Sequence, residues 1–242
     1  ETIGWTKHYR PGSQDISYNH LSPKLGLVYD YSSSNIFYVN YRRSFRVPSI
    51  GQLFRSGSTT NTVDLKPVKT DSYEIGSRGQ LFGWLNYDSA IYHMKIEDDI
   101  VTYIDSSDRK TTNAGETEHQ GIELELGSRI TDELNIKTAW SYTNQEYKSF
   151  TAIISGSEVS YGGYDVGKAP KHTGNLTLQY TPSYLKNTKF EFEWESVGKY
   201  YTDETNTNEY SGHDLYNIRA NHKFNDSFEI YGRVINITDK LY

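Results

Sequence analysis

The chain has 242 residues, no cysteine, a formal net charge of −6, 22 tyrosines and only 35% hydrophobic residues. Lack of cysteine excludes disulfide frameworks and thiolate zinc sites, and the acidic balance argues against a protein that lives on phosphate contacts with nucleic acid. No run reaches the roughly 18 apolar residues of a membrane helix, and the opening ETIGWTKHYR lacks the apolar core of a signal peptide; neither observation bears on a barrel, whose strands are only about half apolar.

No stretch reads convincingly as a helix. Period-two alternation recurs instead, which places apolar and polar side chains on opposite faces of a strand. In chain order, Leu25, Leu27, Tyr29 and Tyr31 share one parity, then Phe37, Val39 and Tyr41, then Tyr73 and Ile75, then Leu85, Tyr87 and Ile91. Ile122, Leu124 and Leu126 follow, then Leu134, Ile136 and Trp140, then Leu176, Leu178 and Tyr180. Residues 190–195 read FEFEWE, with three aromatics on one face and three carboxylates on the other. Tyr216, Ile218 and Ala220, and finally Phe228, Ile230 and Val234, complete about ten strands.

The connections alternate in length. Ser32–Asn35, Gly79–Gly83, Thr131–Glu133, Pro182–Asn187 and Asn225–Ser227 are short, whereas Arg46–Thr70, Glu97–Glu118, Ser149–Lys171 and Thr202–Gly212 are long. A meander with short turns at one rim and long loops at the other is the pattern of an outer-membrane barrel, while a soluble sandwich uses Greek-key connections. Parity alone leaves both architectures open, because the apolar face meets lipid in a large barrel and a shared core in a sandwich. Loop alternation, abundant Tyr and Trp, and low hydrophobicity favour the barrel.

Four segments carry a family resemblance: YRRSFRVPSIGQLF at Tyr41–Phe54, LKPVKTDSYEIGSRG at Leu65–Gly79, NAGETEHQGIELEL at Asn113–Leu126 and VINITDKLY at Val234–Tyr242. In this order and spacing the chain resembles the C-terminal part of a TonB-dependent outer-membrane receptor of the siderophore type. The resemblance implies an all-β, antiparallel up-and-down transmembrane barrel. About ten of its 22 strands would be present, so that residues 1–242 form part of one barrel domain and the plug domain lies outside the chain. It further implies import of a ferric siderophore, energised through TonB by way of the plug region, in the bacterial outer membrane and in contact with its lipid. Haem, cobalamin or a glycan is the alternative cargo, and an outer-membrane barrel enzyme the alternative class. No nucleic acid, cofactor or metal centre is expected, and no nucleophile elbow or Ser/His/Asp spacing marks an enzyme.

For substrate binding, the sequence nominates Arg46, Arg55, Tyr161, Tyr164 and Tyr201, all near the long loops. Tyrosine supplies rigid aromatic surface and arginine forks suit anionic chelates such as ferric catecholates; the competing reading pairs Arg42 and Arg46 with nearby carboxylates. Gly162–Lys168 fits GxxxxGK, but Ala169-Pro170 follows where a phosphate-binding loop needs Ser or Thr and a helix, so an ordered loop is expected. The seven histidines show no metal-ligand spacing, and the 46–65 segment contains none, which disfavours haem. The acidic run Glu97–Asp99, with Asp105 and Asp108, lacks the order of an EF-hand.

Overall fold

The computed structural model describes residues 13–54, 62–105, 108–113 and 115–242. Its single large sheet has ten strands: β1 (Lys24–Ser32), β2 (Asn35–Arg46), β3 (Val68–Leu81), β4 (Leu85–Glu97), β5 (Glu116–Arg129), β6 (Leu134–Ser149), β7 (His172–Tyr180), β8 (Thr188–Val197), β9 (His213–Asn225) and β10 (Phe228–Val234). Every neighbour in the sheet is the neighbour in sequence and every pairing is antiparallel. This is the expected up-and-down wall, strand for strand, with β1 and β10 as the edges of an open sheet. One departure is local. Ile50–Leu53 form a helical turn and Thr62–Asp64 a 3-10 turn inside the β2–β3 connection, where the sequence reading has no helix. The Gln52 side chain there accepts the Ser49 backbone N–H at 2.9 Å, half of a capping box.

The register turns ten alternating strands into two continuous surfaces. Leu27 lies opposite Val39, Val39 opposite Ile75, Ile75 opposite Ile91, Ile91 opposite Ile122 and Ile122 opposite Tyr142. At the other end Leu178, Phe192, Ile218 and Val234 form a second such row. A one-residue slip on any strand would break the band, so the pattern specifies the register. These apolar side chains are largely uncovered by protein: Leu27 is 66% exposed and Ile91 61%. A wall whose apolar face is bare needs lipid against it.

The opposite face is polar and braced by side-chain pairs. Arg219 on β9 forks to Glu191 and Glu193 on β8, each at 2.7 Å. Asn217 donates to Glu193 at 3.1 Å and to Glu195 at 2.8 Å. The three carboxylates of FEFEWE thus meet partners on the lumen side, while Phe192 and Trp194 lie in the apolar band. Close packing of the same face also needs glycine. A Cβ on Gly76 would sit 2.3 Å from the Tyr38 ring, and one on Gly121 would sit 2.7 Å from the Tyr92 hydroxyl. Each tyrosine lies flat across its glycine, and Tyr92 then reaches Thr143 at 2.8 Å.

Hydrophobic burial is concentrated above the wall. Tyr147, Phe150, Ala152 and Tyr161 form a buried cluster, with Val101, Tyr103, Ile154, Val159 and Val166 packed against it. This core belongs to the top of β6 and the long connections, and it holds the loops rather than the sheet.

Candidate functional site

The four long connections rise from one rim and clasp each other in chain order. Asn113 joins the first two. Its side chain accepts the Lys66 N–H at 2.8 Å and donates to the Lys66 and Asp98 carbonyls at 3.0 and 2.6 Å. The second connection is a hairpin of Ile100–Asp105 and Asp108–Asn113. It leans on the third, in which Thr151–Ile154 pair with Ser157–Ser160: the Tyr103 ring packs on Phe150 at 6.2 Å and its hydroxyl accepts the Ile153 N–H at 3.4 Å. Asn206 joins the third to the fourth by accepting the Asp165 N–H at 2.7 Å and donating to the Asp165 carbonyl at 2.9 Å. Lys168 N–H donates to the Tyr201 carbonyl at 2.6 Å. The result is a continuous collar above the polar face of the wall.

Two of the clasps, Asn113 and Asn206, are side-chain amides reading backbone groups, which suits segments with no regular ladder of their own. The fourth connection adds a self-contained turn. The Asp203 carboxylate accepts the backbone N–H of Thr205 at 3.0 Å, Thr207 at 3.2 Å and Asn208 at 2.8 Å, together with the Thr205 and Thr207 hydroxyls. Those donors, led by Thr205, hold its carboxyl well below the usual range, against a smaller opposing effect of burial.

The nominated residues fall into different environments. Arg46, at the top of β2, lies 3.5 Å from Asp99 of the second connection and keeps more than half of its side chain exposed, so it is half engaged across the collar. Arg55 lies outside the described residues. Tyr161 is 2% exposed, stacked on Phe150 at 5.1 Å; its ring is covered on all sides and contributes packing. Tyr164 is 42% exposed and meets Tyr161 edge-on at 5.9 Å. Tyr201 is half-buried, in the short ladder where Tyr200–Tyr201 pair with Glu209–Tyr210. The collar therefore brings Tyr164 and Tyr201 to neighbouring loops and takes Tyr161 out of reach.

Other polar residues are spent on structure. Glu97 pairs with Lys95 at 3.1 Å, Asp98 with Lys69 at 3.5 Å and Asp99 with Arg46 at 3.5 Å, so the Glu97–Asp99 run is matched by bases; Lys171 pairs with Asp165 at 2.9 Å. Gly162–Lys168 is an ordered loop: Gly163, at φ +87°, donates to the Tyr147 carbonyl at 2.7 Å, and the chain continues into β7 with no helix. The His119 ring lies 3.1 Å from the Thr117 hydroxyl. Among the described residues no three potential ligands gather around a metal position. The sequence reading missed Asn113, Asn206 and Asp203. The run DETNTN at 203–208 carries a signal, since Asp followed by Thr and Asn favours side-chain-capped turns.

A meander wall with a bare apolar belt, a braced polar interior and a loop collar defines an outer-membrane barrel segment. The TonB dependent receptor-like, beta-barrel family matches residues 4–237, and the chain belongs to it. It is 28% identical over 190 residues to the ferrioxamine receptor of Yersinia enterocolitica, covering 78% of this chain and 24% of that protein. It is 24% identical over 232 residues to the probable TonB-dependent siderophore receptor PiuA of Acinetobacter baumannii, covering 90% of this chain and 30% of that protein. The crystal structure of the Acinetobacter siderophore receptor PiuA superposes with a TM-score of 0.72 at 22% identity, over 90% of this chain and 31% of that one. The chain thus spans less than a third of the length of these relatives. They are transport receptors rather than enzymes, and the family is one of the bacterial outer membrane.

Proposed function

We propose that this chain supplies wall and extracellular collar to a TonB-dependent importer of ferric siderophores. The single observation that carries the reading is the clasped collar set over a polar, braced wall, in a chain whose relatives are named as siderophore receptors. Tyr164 and Tyr201 offer aromatic surface at the mouth, and Arg46 offers a half-engaged guanidinium. A ligand would be captured there, and release into the lumen would need energy delivered through the plug region by TonB. The wall's part is to hold the collar rigid and to keep a wet path beneath it; no residue of this chain is assigned a bond-making role.

Growth on defined iron sources tests this. A strain lacking its own receptors, complemented with the intact receptor gene, is expected to grow on at least one ferric siderophore under iron limitation. Tyr164→Ala combined with Tyr201→Ala is expected to weaken uptake by about tenfold, the loss of roughly two aromatic contacts. Growth restored only on cobalamin, haem or an oligosaccharide would overturn the iron reading and leave the transporter class standing.

A further inference from the structure

The lipid face of the wall ends differently at its two rims. On β2–β6 the parity that carries the apolar band holds no lysine, arginine, aspartate or glutamate from Tyr41, Tyr73, Ile91, Gln120 and Asn144 down to the short turns. At the short turns it closes on leucine and tyrosine: Leu81 lies opposite Leu85, and the Tyr31 and Tyr87 hydroxyls meet at 2.6 Å. Toward the long connections the same parity turns ionic. Arg43 lies opposite Asp71, Asp71 opposite Lys95, Lys95 opposite Glu118 and Glu118 opposite Glu146. All of these side chains point outward, away from the lumen and the collar mouth.

The outward charges are joined across five strands. Lys95 stands between Glu97 at 3.1 Å and Glu116 at 2.9 Å. Lys148 stands between Glu118 at 2.6 Å and Glu146, and the His93 ring meets Glu118 at 2.6 Å. Asp71 lies 3.6 Å from Arg43 and accepts the Tyr41 hydroxyl, from the belt below, at 2.8 Å. An ammonium has three N–H donors, so each lysine keeps one beyond its two carboxylates, and both side chains are well over a third exposed.

Height decides what meets this band. A strand rises about 3.4 Å per residue, so at a tilt of about 40° two residues lift a side chain by roughly 5 Å. The ionic positions lie two and four residues beyond Tyr41, Tyr73 and Ile91, roughly 5 and 10 Å above the belt, whereas the polar layer of a bilayer is about 5–8 Å deep on each side. The band therefore runs on from the lipid belt at headgroup level, and its occupant is the headgroup of the lipid whose chains lie against that belt.

Independently of the cargo, we propose that the ionic band on β2–β6 seats the headgroup of a phosphorylated glycolipid of the outer leaflet, with Lys95 and Lys148 donating to its phosphates. The carboxylates hold the two ammonium groups in place, which lowers the ordering cost of the contact. Their surplus suits the divalent cations that accompany such phosphates. Among the described residues no three potential ligands converge here, so a cation at this surface takes its remaining oxygens from the lipid.

The intact receptor, purified in detergent and stripped of lipid, is titrated in the presence of magnesium with fluorescent lipid A bearing both phosphates, and with the same lipid after both are removed. The phosphorylated form is expected to bind about three- to tenfold more tightly, the range for partly screened ion pairs. Lys95→Gln with Lys148→Gln is expected to erase that preference while leaving binding of the dephosphorylated lipid unchanged, which a folding defect would not do. Lys95→Arg with Lys148→Arg is expected to keep it, as is Lys137→Gln on the lumen face. Equal binding of the two lipids overturns the seat, and so does a preference that survives the glutamine pair or falls equally with Lys137→Gln. Each of those results leaves the siderophore reading untouched, since that reading rests on the collar and is tested by growth.

Discussion

Single residues in this protein do their work mainly by completing the backbone. Asp203 shows how far one side chain can go, since it satisfies the amides of Thr205, Thr207 and Asn208 in a segment with almost no ladder of its own. The consequence is a pH dependence of definite sign. Its folded pKa is depressed, so its contribution is fully present above the unfolded value of about 3.9 and is lost only as pH falls through the lower folded value. The Thr207 and Asn208 amides are therefore expected to stay protected from hydrogen exchange at about pH 4, still within the ionised range of a depressed carboxylate. Asp203→Ala is expected to unprotect both amides at neutral pH while β8 and β9 keep their protection. Protection lost in the unsubstituted protein already at about pH 5, above even the unfolded pKa, would contradict this account.

At the scale of the element, the two faces of a strand answer to different solvents. Phe192 and Trp194 of β8 lie in the apolar band, while Glu191 and Glu193 grip Arg219 on the other side. Phe192→Arg is expected to cost about 2–4 kcal/mol in a lipid-based folding assay if its depth is near the midplane. Glu193→Gln keeps a hydrogen-bond acceptor for Arg219 and Asn217 in a wet lumen and is expected to cost under about 1 kcal/mol. Equal, small losses at both positions would put the strand the wrong way round. All ten wall strands were legible in the sequence for this same reason: alternation is a local signal, and lipid on one side and water on the other enforce it along each strand. The helical turn at Ile50–Leu53 was also locally encoded, by Ser49 and Gln52 at capping-box spacing, but it is a single turn and shows no periodicity. The fate of Tyr161 was not legible. Its ring is buried because Phe150 and Tyr147 come to it from the end of another strand, and no spacing along the chain records that meeting. Asn113 and Asn206 were hidden likewise, as each earns its role from a loop it contacts 40 or more positions away.

For the whole molecule, rim identity follows from the asymmetry between connections. The short turns are tight: Asn225 accepts the N–H groups of Ser227 and Phe228 at 2.9 Å each, and Glu133 of one short turn accepts the Ser183 N–H of the next at 2.8 Å. The long connections bury a hydrophobic cluster with the top of β6 and clasp each other. Outer-membrane barrels place short turns at the periplasm and long loops outside, which puts the collar where a ligand arrives. Ser157 stands exposed in the hairpin of the third connection, and the side chain of Asp226 is fully exposed in the last short turn. The chain has no cysteine, so a cysteine introduced at either position is the single thiol of this segment, and labelling is read against the unsubstituted receptor. Ser157→Cys in the intact receptor is expected to react with a membrane-impermeant maleimide on whole cells. Asp226→Cys is expected to react only after the outer membrane is permeabilised, because the lipid belt of the wall stands between it and the medium. Labelling of Asp226→Cys, but not Ser157→Cys, on intact cells would invert the topology, move the collar to the periplasmic rim and remove the basis for a ligand mouth at Tyr164 and Tyr201.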